Sequence, residues 1–146
     1  MTTALSGEQV AKKIEKASPG AVEAADKTSV IVTSESLLKA AEFLKNAPEL
    51  DFNYLRDLTT VDYINFFEVV YHLVSLTHNH SVVLKTRCYD RDKPAVPSVT
   101  SLWRAADFAE REAYDLMGIV FMGHPNLKRL LLWEGFKGHP LRRDYL

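Results

Sequence analysis

The chain of 146 residues has one cysteine, Cys88. That excludes an internal disulfide and the four thiolates of an iron–sulfur cluster. Cys88 sits in an apolar strand pattern, which reads as buried and inert rather than reactive. No stretch approaches the ~20 uninterrupted apolar residues of a membrane span. Residues 1–7 lack the basic region and apolar core of a signal peptide, so a cytosolic protein is expected. The net charge of −1 removes the basic excess of a general nucleic-acid binder. Also missing are a Gly-rich strand-to-helix phosphate loop, a Gly-x-Ser-x-Gly elbow, a Cys/His/Asp nucleophile set, internal repeats and low-complexity segments.

What is present is a globular composition, 47% hydrophobic and 25% charged, at a length that suits one domain without metal or disulfide help. Residues 6–17 read as a helix with Ser6 and Gln9 in capping-box spacing, ended by Pro19-Gly20. Residues 21–26 and 29–33 suggest a hairpin, and Ser34 a cap for a second helix through Leu44 that closes before Pro48. Three strands over 55–63, 66–76 and 82–89, joined by short turns, predict an antiparallel meander. The middle one is apolar on both sides, Phe67, Val69, Tyr71 and Leu73 alternating with Phe66, Val70, Val74 and Leu76. It must therefore be central and covered twice, one face by helices and the other by the tail or by another protein. Residues 91–97 form a loop stiffened by Pro94 and Pro97.

The last helix is expected over 101–117, with Thr100 or Ser101 as N-cap and Gly118 as the left-handed stop. Leu102, Ala105, Ala106, Ala109, Ala113, Leu116 and Met117 make its apolar arc. The other side mixes an i,i+4 ladder, Asp107–Arg111–Asp115, with Trp103, Phe108 and Tyr114. Arg104 and Asp115 both oppose the macrodipole, which points to a second contact: these charges meet opposite charges on a partner or on Lys128, Arg129, Arg142 and Arg143 of the tail. Residues 118–146 have four glycines, two prolines and one short extended run, 127–133. Five basic residues (Lys128, Arg129, Lys137, Arg142, Arg143) against two acidic ones (Glu134, Asp144) give a balance of +3. An apolar, basic, irregular segment has the composition of a docking surface, although it could equally fold back on its own domain.

The fold class expected is a two-layer α+β domain, with a mixed and mostly antiparallel sheet of about five strands, helices on one face and an irregular tail. The body would be 1–117 and the tail 118–146. Of the five histidines, His78 and His80 flank a turn without closing a zinc site. His124 and His139 each stand between Gly and Pro, which fixes a turn imidazole or aims a hydrogen bond at a partner. Glu110, Glu112 and Asp115 radiate from the helix at about 100° per residue, so a paired acid–base site is not expected.

Glu110-Arg111-Glu112-x-x-Asp115-Leu116-Met117-Gly118, followed by His124, Lys128 and Leu130-Leu131, resembles the motif of the C subunit of respiratory complex I, the proton-pumping NADH–quinone oxidoreductase. The stretch from Glu134-Gly135-Phe136 through Gly138-His139-Pro140-Leu141-Arg142-Arg143-Asp144-Tyr145 resembles that family's closing motif. Upstream, Leu55-Arg56-Asp57-Leu58-Thr59 with Asp62-Tyr63, residues 67–73 and residues 96–103 match as well. The resemblance implies a structural and assembly subunit of the peripheral arm that binds no cofactor itself. NADH, flavin, iron–sulfur clusters and quinone would belong to the rest of the complex. It further implies packing against the large quinone-site subunit on the cytoplasmic side of the membrane, where family members commonly continue past Asp-Tyr while this chain stops at Leu146.

Partner contacts are accordingly expected from Trp103, Asp107, Glu110, Arg111, Glu112, Tyr114, Asp115, His124, Lys128, Arg129, His139, Arg142 and Arg143. The alternatives are the equivalent subunit of a nickel–iron hydrogenase or other-donor quinone oxidoreductase, and a stand-alone binding or hydrolytic domain using Glu112, Asp115 and His139.

Overall fold

Strand alternation sets the layers. β5 (Phe67–Ser75) turns Phe67, Val69, Tyr71, Leu73 and Ser75 to one side, and all five are buried. β6 (His80–Cys88) sets Cys88, Thr86, Leu84 and Val82 opposite the first four of them. The computed structural model describes residues 2–127 and 138–143. Among these, β5 and β6 are the middle of a six-stranded sheet. β4 (Tyr54–Asp62) pairs antiparallel with β5. β3 (Ser29–Val32) lies parallel to β6 and pairs antiparallel with β2 (Val22–Ala25) at the edge. The two-residue β1 (Thr3–Ala4) runs parallel to the start of β6. The sheet is mixed and mostly antiparallel, and the meander over 54–88 stands as expected.

α1 (Gly7–Ala17) buries Val10, Ala11 and Ile14, and α2 (Leu37–Asn46) buries Leu37, Ala40, Ala41 and Leu44. Both faces enter one core with the inward residues of β4, β5 and β6. The caps differ from expectation. Ser6 is the N-cap of α1 but makes no side-chain bond, so the capping box with Gln9 is not formed. Thr33, not Ser34, accepts from the Ser36 N–H and starts a single 3₁₀ turn ahead of α2. Thr33 has the extended backbone that an N-cap needs, whereas Ser34 already lies inside the turn.

The outward side of β5 is covered in part by the chain's own charges. Glu68 is 2% exposed, 3.0 Å from Arg87 and 3.6 Å from Lys85, and the Arg87 guanidinium lies 4.5 Å from the centre of the Phe66 ring. Long basic side chains lying along the sheet screen apolar surface while keeping their heads in water.

Residues 91–97 hold more than a loop. β7 (Ala95–Pro97) pairs in parallel with β8 (Val120–Met122), and the final helix, α3 (Ala106–Met117), is the crossover between them. Three-residue strands carry too little alternation to be seen in a sequence.

The Tyr71 hydroxyl is fully buried and has no hydrogen-bond partner among the described residues. Burial, then the charges of Glu110 and Cys88, push its pKa well above the ordinary tyrosine value. Since a buried unpaired hydroxyl costs ~1–3 kcal/mol, Tyr71→Phe should raise stability by about 1 kcal/mol, read as a higher denaturation midpoint in urea.

Candidate interaction surface

α3 begins five residues later than the sequence suggests. Its N-cap is Ala105, without a side-chain bond. The reason lies in residues 99–105. Lys45 donates to the Leu102 carbonyl at 2.6 Å, which removes that carbonyl from a helical ladder. Trp103 is drawn into the core and donates its indole N–H to the Phe52 carbonyl at 3.0 Å. Ala106 and Asp107 then bond back to Trp103 and Arg104 in tighter turns. Tertiary anchors outweigh the capping preference of Thr100 and Ser101.

Glu110 is one of two buried carboxylates of the helix, with Asp115. Fully out of solvent, it accepts from the Ser98 hydroxyl at 2.6 Å and from the Val99 N–H at 2.8 Å. It thereby ties α3 to the segment after β7. Burial raises its pKa, against the pull of those two donors. Asp62, at the end of β4, gathers more donors: both terminal nitrogens of Arg91 (2.6 and 3.1 Å), the Ile64 N–H and the Arg143 N–H. Arg91 is the main cause that holds its pKa well below the usual carboxylate range.

The segment 138–143 folds back on its own domain. His139 Nδ1 lies 3.0 Å from the Asp115 carbonyl, the Leu141 N–H donates to Leu116, and Arg142 Nε donates to Met117 at 2.6 Å. Arg142 thus meets its own chain, the second of the two arrangements the sequence allowed for the tail; its guanidinium also lies 5.0 Å from the buried Phe67 ring. Arg143 uses its backbone on Asp62 and is exposed.

Several expected contact residues are likewise taken up inside the chain. Trp103, Glu110 and Asp115 are buried, Asp115 completely, so these side chains offer no outer surface. The apolar arc placed Ala105 inward, yet it is exposed. The His124 side chain is covered: its Nδ1 accepts from the Asn126 N–H, and its Nε2 lies 3.0 Å from Asp107 Oδ1 and 3.3 Å from the Asp107 carbonyl. Asp107, Arg111, Tyr114 and His139 are half-buried and Glu112 is exposed. Arg111 lies 5.6 Å from the Phe108 ring. Lys128, Arg129 and most of the run 127–133 fall outside the described residues.

What faces outward is a single large apolar side chain beside a charged one. Phe108 is 62% exposed, and Glu112 follows one turn later. Beside them α3 and β4 form a groove of about 220 Å³ lined by Leu58, Thr60, Ala109, Glu112, Leu116 and Leu141. Leu58 and Leu141 belong to the motifs quoted from the sequence but were not named as contact residues, because neither adjoins α3 in the chain. Among the described residues no group of three or more His, Cys, Asp or Glu could hold a metal ion, and no helix is long and apolar enough to cross a membrane.

The architecture is shared with a chain of the membrane-bound sulfane sulfur reductase, an archaeal respiratory membrane complex. The TM-score is 0.75 over 95% of this chain and 85% of that one, at 24% identity, a likeness of fold. Sequence is more specific: residues 30–146 match the family described as respiratory-chain NADH dehydrogenase, 30 kDa subunit, and the chain belongs to that family. It is 46% identical over 128 residues to the C subunit of the NADH-quinone oxidoreductase of Roseiflexus sp. (strain RS-1), covering 86% of this chain and 73% of that protein. It is also 46% identical over 117 residues to the second C subunit of the NADH-quinone oxidoreductase of Rhizobium etli (strain CIAT 652), covering 78% and 62%. A mitochondrial relative, NADH dehydrogenase (ubiquinone) iron-sulfur protein 3 of Candida albicans, is 42% identical over 82% of this chain and 43% of its own length.

Two of the buried carboxylates, Asp62 and Glu110, should respond oppositely to pH. Because the Asp62 pKa is lowered on folding, its contribution is present above the ordinary carboxylate pKa near 4 and is lost as pH falls through the folded value. Asp62→Asn should cost about 2–3 kcal/mol at pH 7 and progressively less below pH ~4, measured by urea unfolding. Glu110, with a raised pKa, contributes most below that range and loses its contribution as pH rises through the folded value. Glu110→Gln should thus be close to neutral at pH 7, whereas Glu110→Ala, which leaves the Val99 N–H without its acceptor while Ser98 keeps Thr100, should cost roughly 1–3 kcal/mol.

Proposed function

We propose that the chain is a non-catalytic structural and assembly subunit of the peripheral arm of a proton-pumping NADH–quinone oxidoreductase. In this reading it packs against the large subunit that forms the quinone site, at the cytoplasmic face of the membrane, and binds no cofactor of its own. The observation that carries it is the exposed Phe108–Glu112 face of α3. A 62% exposed phenylalanine beside a half-buried arginine and an exposed Glu112, bordering an apolar groove, has the make-up of an interface core with a charged rim. Family membership sets the setting, a subunit of a multisubunit respiratory complex.

The residues of the rival hydrolytic reading do not converge on an open site. Asp115 is wholly buried, His139 bonds to a backbone carbonyl, and Glu112 faces out alone. Relatives at 46% identity whose names specify NADH and quinone favour that donor over a nickel–iron hydrogenase counterpart.

The test is co-purification with the large quinone-site subunit. A Phe108→Ser, Glu112→Lys variant should keep its melting temperature and lose at least tenfold in affinity, since a central aromatic contact is typically worth ~2 kcal/mol. Undiminished affinity would place docking elsewhere. The purified chain should be colourless, with iron far below one atom per chain.

A further inference from the structure

The C-terminal end of α3 is completed by a distant stretch of chain. A helix leaves its last four carbonyls without intrahelical partners. Here Tyr114 receives the Gly118 N–H, while Asp115, Leu116 and Met117 receive His139, the Leu141 N–H and Arg142 in turn. The helix itself is poorly made for this end. It has no basic residue in its last turn and has Asp115 there, against the macrodipole. The missing cation arrives 25 residues after Met117, as Arg142.

Gly118 leaves room for it. Its φ is +78°, and an added Cβ would stand 2.6 Å from the Arg142 guanidinium and 2.7 Å from the His139 ring. The same stretch is pinned once more by the Arg143 N–H on Asp62, whose other oxygen holds Arg91. Its own apolar burial is slight: Leu141 is 60% exposed and Arg143 is exposed. Polar closure on the one hand and little buried area on the other describe a unit that opens at low cost relative to the sheet.

We propose that residues 138–143 are a detachable clasp. Closed, they complete α3; opening, they release its last turn with them as one cooperative unit and leave the sheet intact. Whatever draws Arg142 from the Met117 carbonyl is then felt along α3. Every contact invoked lies within the chain, so the inference is independent of the docking reading.

Native-state hydrogen exchange of the full chain, followed residue by residue by NMR, decides the matter. In the unmodified chain the amides of Met117, Gly118, Leu141 and Arg143 should share one opening constant, at least tenfold larger than that of Tyr71 and Leu84. Arg142→Ala should accelerate all four by a common factor on the order of tenfold and leave Tyr71 and Leu84 unchanged. Gly118→Ala should give the same pattern. Acceleration confined to Leu141 and Arg143 would overturn the coupling. A uniform acceleration that includes the sheet, or an Arg142→Ala chain that does not fold, would make the segment part of the core and overturn the clasp.

Discussion

The structure depends on burying the inward face of β5. Phe67, Val69, Tyr71 and Leu73 have 0% exposure, and no single helix could cover them with their neighbours on β4 and β6. α1, α2, α3 and the segment carrying Val96, Val99 and Trp103 all contribute to the one core that does so. That shared core explains the late start of α3. Trp103 must reach inward to Phe52, and a helix running from Ser101 would not leave the Leu102 carbonyl free for Lys45.

Once the core is closed, the polar groups caught in it need partners, and two carboxylates organise them. Glu110 joins α3 to the end of β7, and Asp62 joins the end of β4 to Arg91 and to the returning tail. Charges that look decorative on a helical wheel thus serve as internal ties. Breaking one strands backbone N–H groups as well as a charge, which gives such ties their weight.

The division of labour on α3 follows. One side holds buried Glu110, Ala113 and Met117; on the other Asp115 is buried as well, while Phe108 and Glu112 stay exposed beside the β4 groove.

Periodicity along 54–88, the left-handed Gly118 and the family motifs were all legible in the sequence, because each is local: alternation, a positive φ, a string of neighbours. The dipole-opposed Asp115 was legible too, as a signal that α3 needed something more. Its meaning was legible only in part: the sequence set these charges against a partner or the basic residues of the tail, Arg142 among them, whereas Arg142 meets the Met117 carbonyl, a backbone group invisible to a reading of side chains. The same holds for Asp62, which meets Arg143 across 81 positions, and for the parallel pair β7–β8, too short to show a period. By itself the sequence determined the layers, the helices and the family. Only the tertiary structure decided which charges lie inside, because burial depends on what folds over a residue and not on the face it occupies.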